Sequence, residues 1–99
     1  MYAIVRDASY DGARLAQGAA QLDEFQAIHA RQPGYQGTIV VDIGNGRRIT
    51  VNLWESEGQA TAALPKMVPE VERLLTPLLT APAQLIGAGP VVISDLTKA

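Results

Sequence analysis

Residues 37–55, GTIVVDIGNGRRITVNLWE, hold two β-rich runs on either side of Gly44-Asn45-Gly46 and put apolar side chains on both faces of any sheet they form. A sheet with one wet face alternates apolar and polar residues, so a strand apolar on both sides needs cover on both. The rest of the chain holds too few helices to cover both. The pattern points to a small α+β domain that closes one sheet face with its own helices and the other against a second subunit. Asn45-Gly46 suits a two-residue type I′ turn, in which both central residues need positive φ. That turn would pair residue 42 with 49, 40 with 51 and 38 with 53. One face would then hold Thr38, Val40, Asp42, Ile49, Val51 and Leu53. The other would hold Ile39, Val41, Ile43, Arg48, Thr50, Asn52 and Trp54.

The remaining elements follow from periodicity and punctuation. Tyr2 to Arg6 reads as a strand, with Tyr2 and Ile4 on one side, Ala3 and Val5 on the other, and so no polar side. Asp11 to Gln32, rich in Ala, Leu and Gln, reads as a helix capped by Asp11 or Ser9, weakened by Gly18 and stopped by Pro33-Gly34. Ser56 or Glu57 opens a second helical region reaching about Leu79, with Ala60, Leu64, Met67, Val71, Leu74, Leu75 and Leu78 at helical spacing. Pro65 and Pro69 lie inside it, and an interior proline costs a helix about 3 kcal/mol. Two pieces are therefore expected, with Pro69 in the first turn of the second and Pro77 and Pro82 closing the region. Val91 to Leu96, extended at most by Leu85-Ile86, reads as the last strand, cut from what precedes by Gly87, Gly89 and Pro90.

The order β-α-β-β-α-β is the ferredoxin-like one, a four-stranded antiparallel sheet with both helices on one face. Its uncovered face would measure roughly 400 Å² in projection, already the size of the largest apolar patch on a typical monomer. A C₂ homodimer burying that face is the expectation, against a monomer with a semi-polar open side.

Ninety-nine residues are expected to form a single domain over 1–99. The net charge of −2 and the single adjacent basic pair Arg47-Arg48 lack the basic stripe that neutralises several phosphates, so no nucleic-acid partner is expected. With no cysteine, thiolate chemistry, disulfides and cysteine-based metal sites are excluded. The start, MYAIVRD, reaches charge too early for a signal-peptide core, and no apolar run approaches the roughly 20 residues that span a bilayer. A soluble cytoplasmic protein without a membrane partner is the expectation.

Few residues could carry chemistry. His29, the sole histidine, falls on the apolar helix stripe of Leu15, Leu22 and Phe25, where an imidazole must find a partner or a wet cavity. There it could act as a general base toward a phenol or an enolisable ligand, or be a structural histidine near a helix C-terminus. Asn52 and Trp54 share a sheet face with Thr50 and Arg48. Asn52 could stabilise a developing oxyanion and Trp54 could supply a wall for an aromatic ring. Equally, Trp54 could be core and Asn52 a dimer contact. Arg6, Tyr2, Tyr35 and Asp42 are lesser candidates: Tyr35 suits a loop anchor, and Asp42 and Arg6 suit strand ends. One histidine and no cysteine give no zinc set, and the acidic residues lack calcium-loop spacing. Gly44-Asn45-Gly46 opens no helix, so it is no phosphate cradle. Ser9, Ser56 and Ser94 sit in no nucleophile elbow.

The run HARQPGYQGTIVVDIGNGRRITVNLWESEGQATAAL resembles the antibiotic biosynthesis monooxygenase-like group of the dimeric α/β-barrel superfamily. The matching features are Pro33-Gly34-Tyr35-x-Gly37 before the second strand and Trp54-Glu55-Ser56 at the end of the third. The resemblance implies a ferredoxin-like chain, a dimer with its two sheets face to face, and a cavity between sheet and helices. Superfamily members include cofactor-free oxygenases of polycyclic phenols, haem-degrading enzymes, isomerases and proteins of no assigned activity. Haem degradation there uses a histidine of the second helical region, and residues 58–79 contain none, which counts against haem. Three readings stay open. The first is a cofactor-independent monooxygenase acting on a small aromatic or phenolic compound, with His29 and Asn52 as catalytic groups and Trp54, Thr50, Tyr35 and Arg6 as substrate contacts. The others are a small-molecule binding protein and a purely structural dimer. No cofactor or metal is expected in any of them.

Overall fold

A computed structural model describes residues 1–95 of the chain. The hairpin joins β2 (Tyr35–Gly44) to β3 (Arg47–Trp54). Its turn is Asn45-Gly46 with φ of 57° and 77°, as a type I′ turn requires. Against them, β1 (Tyr2–Ser9) pairs with β3, and β4 (Gln84–Pro90) pairs with β1, all antiparallel. The order β2-β3-β1-β4 is the ferredoxin-like order expected from the sequence, with β1 and β2 longer than their apolar runs suggested.

The register departs from the expected one by one residue. Gly44 lies opposite Arg47, yet Asp42 lies opposite Arg48, Val40 opposite Thr50 and Thr38 opposite Asn52. Ile43 is an extra residue on β2, a bulge permitted by Gly44 at φ 93°. Because side chains alternate with a period of two, one extra residue exchanges the faces of everything beyond it. The two faces of the sequence reading are thereby corrected. Thr38, Val40 and Asp42 join Arg48, Thr50, Asn52 and Trp54, together with Tyr2, Ile4 and Arg6 of β1. Ile39, Val41, Ile49, Val51 and Leu53 join Ala3 and Val5 on the other side.

The first helical region is two helices, α1 (Gly12–Gln17) and α2 (Ala19–Ala30), not one. Asp11 caps α1 by accepting from the Arg14 amide. Gly18 separates them where the δ carbons of Leu78 come within 2.7–2.8 Å of the place a Cβ would occupy. The second region is also corrected. α3 (Glu57–Glu70) runs unbroken through Pro65 and Pro69, then continues as a π turn over Val71–Leu75 and a 3₁₀ turn over Thr76–Leu78. Each proline forfeits one amide donor and crowds the carbonyl four residues before it, yet α3 continues through both, and the π turn begins two residues after Pro69. Ser56 opens α3, its Oγ accepting from the Gln59 amide.

The last strand is likewise not where β propensity put it. β4 is Gln84–Pro90, including Gly87 and Gly89, while residues 91–95 form no ladder and Leu96 lies outside the described residues. Val91 N–H donates to Met1 O at the end of β1. Beyond that point the chain has no strand left to pair with.

Trp54, Ala60 and Ala63 form the buried core, with Tyr2, Ile4 and Tyr35 packed against it. The Tyr2-Ile4-Trp54 face is therefore the face covered by helices. Ile39 and Val41, on the other face, remain 40% and 48% exposed.

Candidate functional site

Between sheet and helices, the polar residues of the covered face meet one aromatic cluster. α2 ends at Ala30, and its last turn brings His29 down onto the sheet, where it is only 6% exposed. Its ring centroid lies 5.6 Å from Phe25, 5.0 Å from Tyr35 and 5.4 Å from Trp54. Burial, helped by the charge of Arg6, lowers the His29 pKa to about 4. The imidazole is thus neutral at pH 7, able to accept a proton but weakly basic.

Tyr35 is placed by the Pro33-Gly34 turn. Gly34 holds φ 85° with the Gln59 side chain 2.5 Å from where a Cβ would sit, and its carbonyl accepts from Glu55 N–H. From Tyr35 a directed hydrogen-bond relay crosses the sheet. Gln26 Nε2 donates to Tyr35 Oη at 2.6 Å, and Thr38 Oγ1 donates to Asn52 Oδ1 at 2.9 Å. Thr38 has one hydroxyl proton and gives it to Asn52, so across the 2.6 Å contact between them Tyr35 O–H must donate to Thr38. Asn52, 5% exposed, thereby has its oxygen occupied, and its amide N–H₂ makes no hydrogen bond among the described residues.

Trp54 Nε1 is buried with no hydrogen-bond partner. An unmet buried donor is uncommon and costly. Asn52 and Trp54 therefore present unspent N–H groups on one sheet face beside a neutral imidazole. Such a set can bind an oxygen that gains negative charge as a neighbouring proton is taken. Among the described residues no group of three or more His, Asp or Glu side chains stands together as a metal set.

The structure brings together His29, Asn52, Trp54 and Tyr35, and puts Thr50 and Arg6 on the same face farther along the strands. Asp42 is on that face but exposed, paired with Arg48 at 3.8 Å. Tyr2 packs in the core with its hydroxyl toward Glu57. Gln26 and Thr38 were missed. Gln26 precedes His29 by one helical turn, a signal the sequence did hold, whereas Thr38 was hidden by the unforeseen bulge. Two notches, of about 120 and 270 Å³, lie elsewhere: one lined by Asp7, Ser9, Ala81, Pro82 and Gln84, the other by Arg14, Gln17, Gln21, Pro77 and Leu78.

Solved structures share this architecture. A protein of unknown function from Nitrosomonas europaea matches with TM-score 0.77 at 13% identity, over 99% of this chain and 95% of its own. SnoaB, a cofactor-independent oxygenase from Streptomyces nogalater, matches with TM-score 0.75 at 19% identity, over 96% of both chains. A candidate antibiotic biosynthesis monooxygenase from Bordetella bronchiseptica matches with TM-score 0.74 at 17% identity, over 93% of this chain and 97% of its own. No protein-family model and no curated protein matches the sequence. The chain has the ferredoxin-like α+β fold of antibiotic biosynthesis monooxygenase proteins, so the resemblance seen in its Pro-Gly-Tyr and Trp-Glu-Ser segments holds at the level of the fold.

Proposed function

We propose that the chain is a cofactor-independent monooxygenase-like protein that binds a small aromatic or phenolic compound between sheet and helices. The observation that carries this reading is the buried Trp54 Nε1, which has no hydrogen-bond partner, on one sheet face with Asn52, whose oxygen is held by Thr38, and beside neutral His29. In this reading His29 takes a proton from the bound compound and Asn52 holds the resulting oxyanion. Trp54 and Tyr35 flank the ring, with Thr50 and Arg6 as further contacts. A substrate that reacts with oxygen as its own anion supplies the electrons itself, which matches the cofactor-free description of SnoaB. We place the reaction in a homodimer, because the open face of Ile39, Val41 and their neighbours suits a second copy.

Oxygen uptake with a panel of phenols, read with an electrode, tests the proposal. An oxyanion donor is worth about 10²–10³ in kcat, so Asn52→Ala should lower uptake by about that factor. A general base is worth about 10²–10⁴, and His29→Ala should show it. Unchanged uptake in both variants would remove the catalytic roles. The reading as a purely structural dimer has one observation in its favour: the notches of 120 and 270 Å³ avoid this cluster, while a ligand site usually encloses roughly 300 Å³ or more. Failure of every phenol in the panel to bind would select it, whereas binding without any uptake would select a small-molecule binding protein.

A further inference from the structure

Three of the six arginines of this chain have an evident partner. Arg47 is bonded to the Asp7 carboxylate, Arg73 to Glu24 and Glu70, and Arg14 reaches the Pro77 carbonyl. Arg6 differs. It is half-buried, yet it makes no hydrogen bond or ion pair among the described residues. It lies on the helix-covered face after Tyr2 and Ile4, directly opposite Thr50. Arg48 is on that same face, opposite Ala8, diagonal to Arg6 and so about 7–8 Å away at Cβ.

Arg48 is incompletely matched as well. It lies over the Tyr10 ring at 5.8 Å and 3.8 Å from Asp42 Oδ2, but its buried Nε has no hydrogen-bond partner. Asp42 is the one carboxylate this sheet face carries in β1, β2 and β3, and it is solvent-exposed. Asp7 belongs to the opposite face and is engaged by Arg47. Two guanidinium groups therefore share a half-covered surface with one carboxylate, leaving a single positive charge in excess. A guanidinium half shielded from water and without a partner is disfavoured, and a bound anion relieves that.

We infer that the site takes an aromatic acid, whose single carboxylate is held by Arg6 and Arg48 while its ring lies toward the His29, Tyr35 and Trp54 rings. The inference rests on the proposed location of the substrate and specifies its chemical class. A carboxylate suits the excess of one charge, where a phosphate dianion would leave net negative charge. It also offers the planar pair of oxygens that guanidinium groups recognise. The hairpin end of the face is open to such a ligand, since Val40, opposite Thr50, is 51% exposed.

The test is calorimetric titration of the whole protein at pH 7 with 2-hydroxybenzoate and with its neutral amide, 2-hydroxybenzamide. The single indole N–H resonance, that of Trp54, places each ligand. The acid should bind about tenfold or more tighter than the amide and shift that resonance. Arg6→Gln should erase the preference, bringing acid affinity down to that of the amide in the same variant, and Arg6→Lys should keep part of it. If Arg6→Gln does not fold, the wild-type ligand pair and Arg48→Gln decide. Equal affinity for acid and amide, or a preference indifferent to both arginines, overturns the acid inference alone. Failure of both ligands to bind overturns it together with the site. Arg6-dependent acid binding without oxygen uptake by any ligand supports the inference and removes the oxygenase reading.

Discussion

His29 sits where the sequence stripe of Leu22 and Phe25 puts it, and the structure adds the reason it matters: rings surround it and Arg6 is its nearest charge influence. Its folded pKa of about 4 lies below the ordinary 6.5. Between those values the unfolded chain binds a proton that the folded chain refuses. The stability is therefore present above pH 6.5 and is lost as pH falls toward 4. At about 1.36 kcal/mol per pKa unit, the loss by pH 4.5 should be roughly 2–3 kcal/mol. Urea midpoints at pH 7 and pH 4.5 should show that loss in the wild type and a correspondingly smaller one in His29→Gln. Identical acid sensitivity in the two proteins would mean that His29 is not shielded as described. Asn52 gives a second residue-scale expectation. Asn52→Ala leaves the half-buried Thr38 hydroxyl without its acceptor, at a cost of about 0.5–1.5 kcal/mol. Thr38→Val should cost less in the Asn52→Ala background than in the wild type, since the Thr38–Asn52 bond is then already lost and only the acceptor of Tyr35 O–H remains to lose. Equal costs in the two backgrounds would show that the relay is not a coupled unit.

At the scale of elements, the hairpin explains most of what was legible and what was not. The turn type, the strand order and the capping of helices at Asp11 and Ser56 were all written in local residue chemistry. The bulge at Ile43 was not, because Gly44 serves equally well as part of a turn or as a bulge residue. One residue of slip then misassigned Thr38 and with it the relay to Asn52. The glycine-rich β4 and the β-forming residues 91–95 failed for a related reason: pairing follows where β1 offers partners, and propensity alone does not report that. The proline-containing second region failed because the packing of Ala60, Ala63 and Met67, which local propensity does not report, holds α3 together through both prolines. Gly46 tests how firmly the turn is fixed. It has φ 77°, and a Cβ there would stand 2.3 Å from the Tyr10 carbonyl oxygen. Gly46→Ala should therefore cost at least about 2 kcal/mol, the upper end of the αL penalty, lowering Tm by roughly 8–16 °C in a domain of this size. A Tm within a degree or two of wild type would mean that the Tyr10 contact yields easily.

At the scale of the whole molecule, one surface remains to be explained. Ala3, Val5, Ile39, Val41, Ile49, Val51 and Leu53 make one sheet face whose charged side chains in β1, β2 and β3 are confined to the ion pair of Asp7 and Arg47 at its hairpin end. None of the helices lies there, because the aromatic and alanine core is on the other side. Central strands apolar on both faces are what first suggested a second subunit, and the corrected register strengthens the case, since it gathers all of these side chains onto the uncovered side. The proposed dimer should sediment at about twice 10.5 kDa at micromolar concentration, as a standard-sized apolar interface allows. Val41→Lys adds a charge at the centre of the edge strand, on a residue already 48% exposed in the single chain. It should yield a folded monomer with near-native circular dichroism, because removing a partner from this face does not disturb the Trp54 core. Wild-type protein that sediments as a soluble monomer at millimolar concentration would leave this face unpartnered and defeat the dimer. If Val41→Lys is monomeric yet keeps wild-type oxygen uptake, the site is complete within one chain, as the position of His29, Asn52 and Trp54 on the helix-covered face implies.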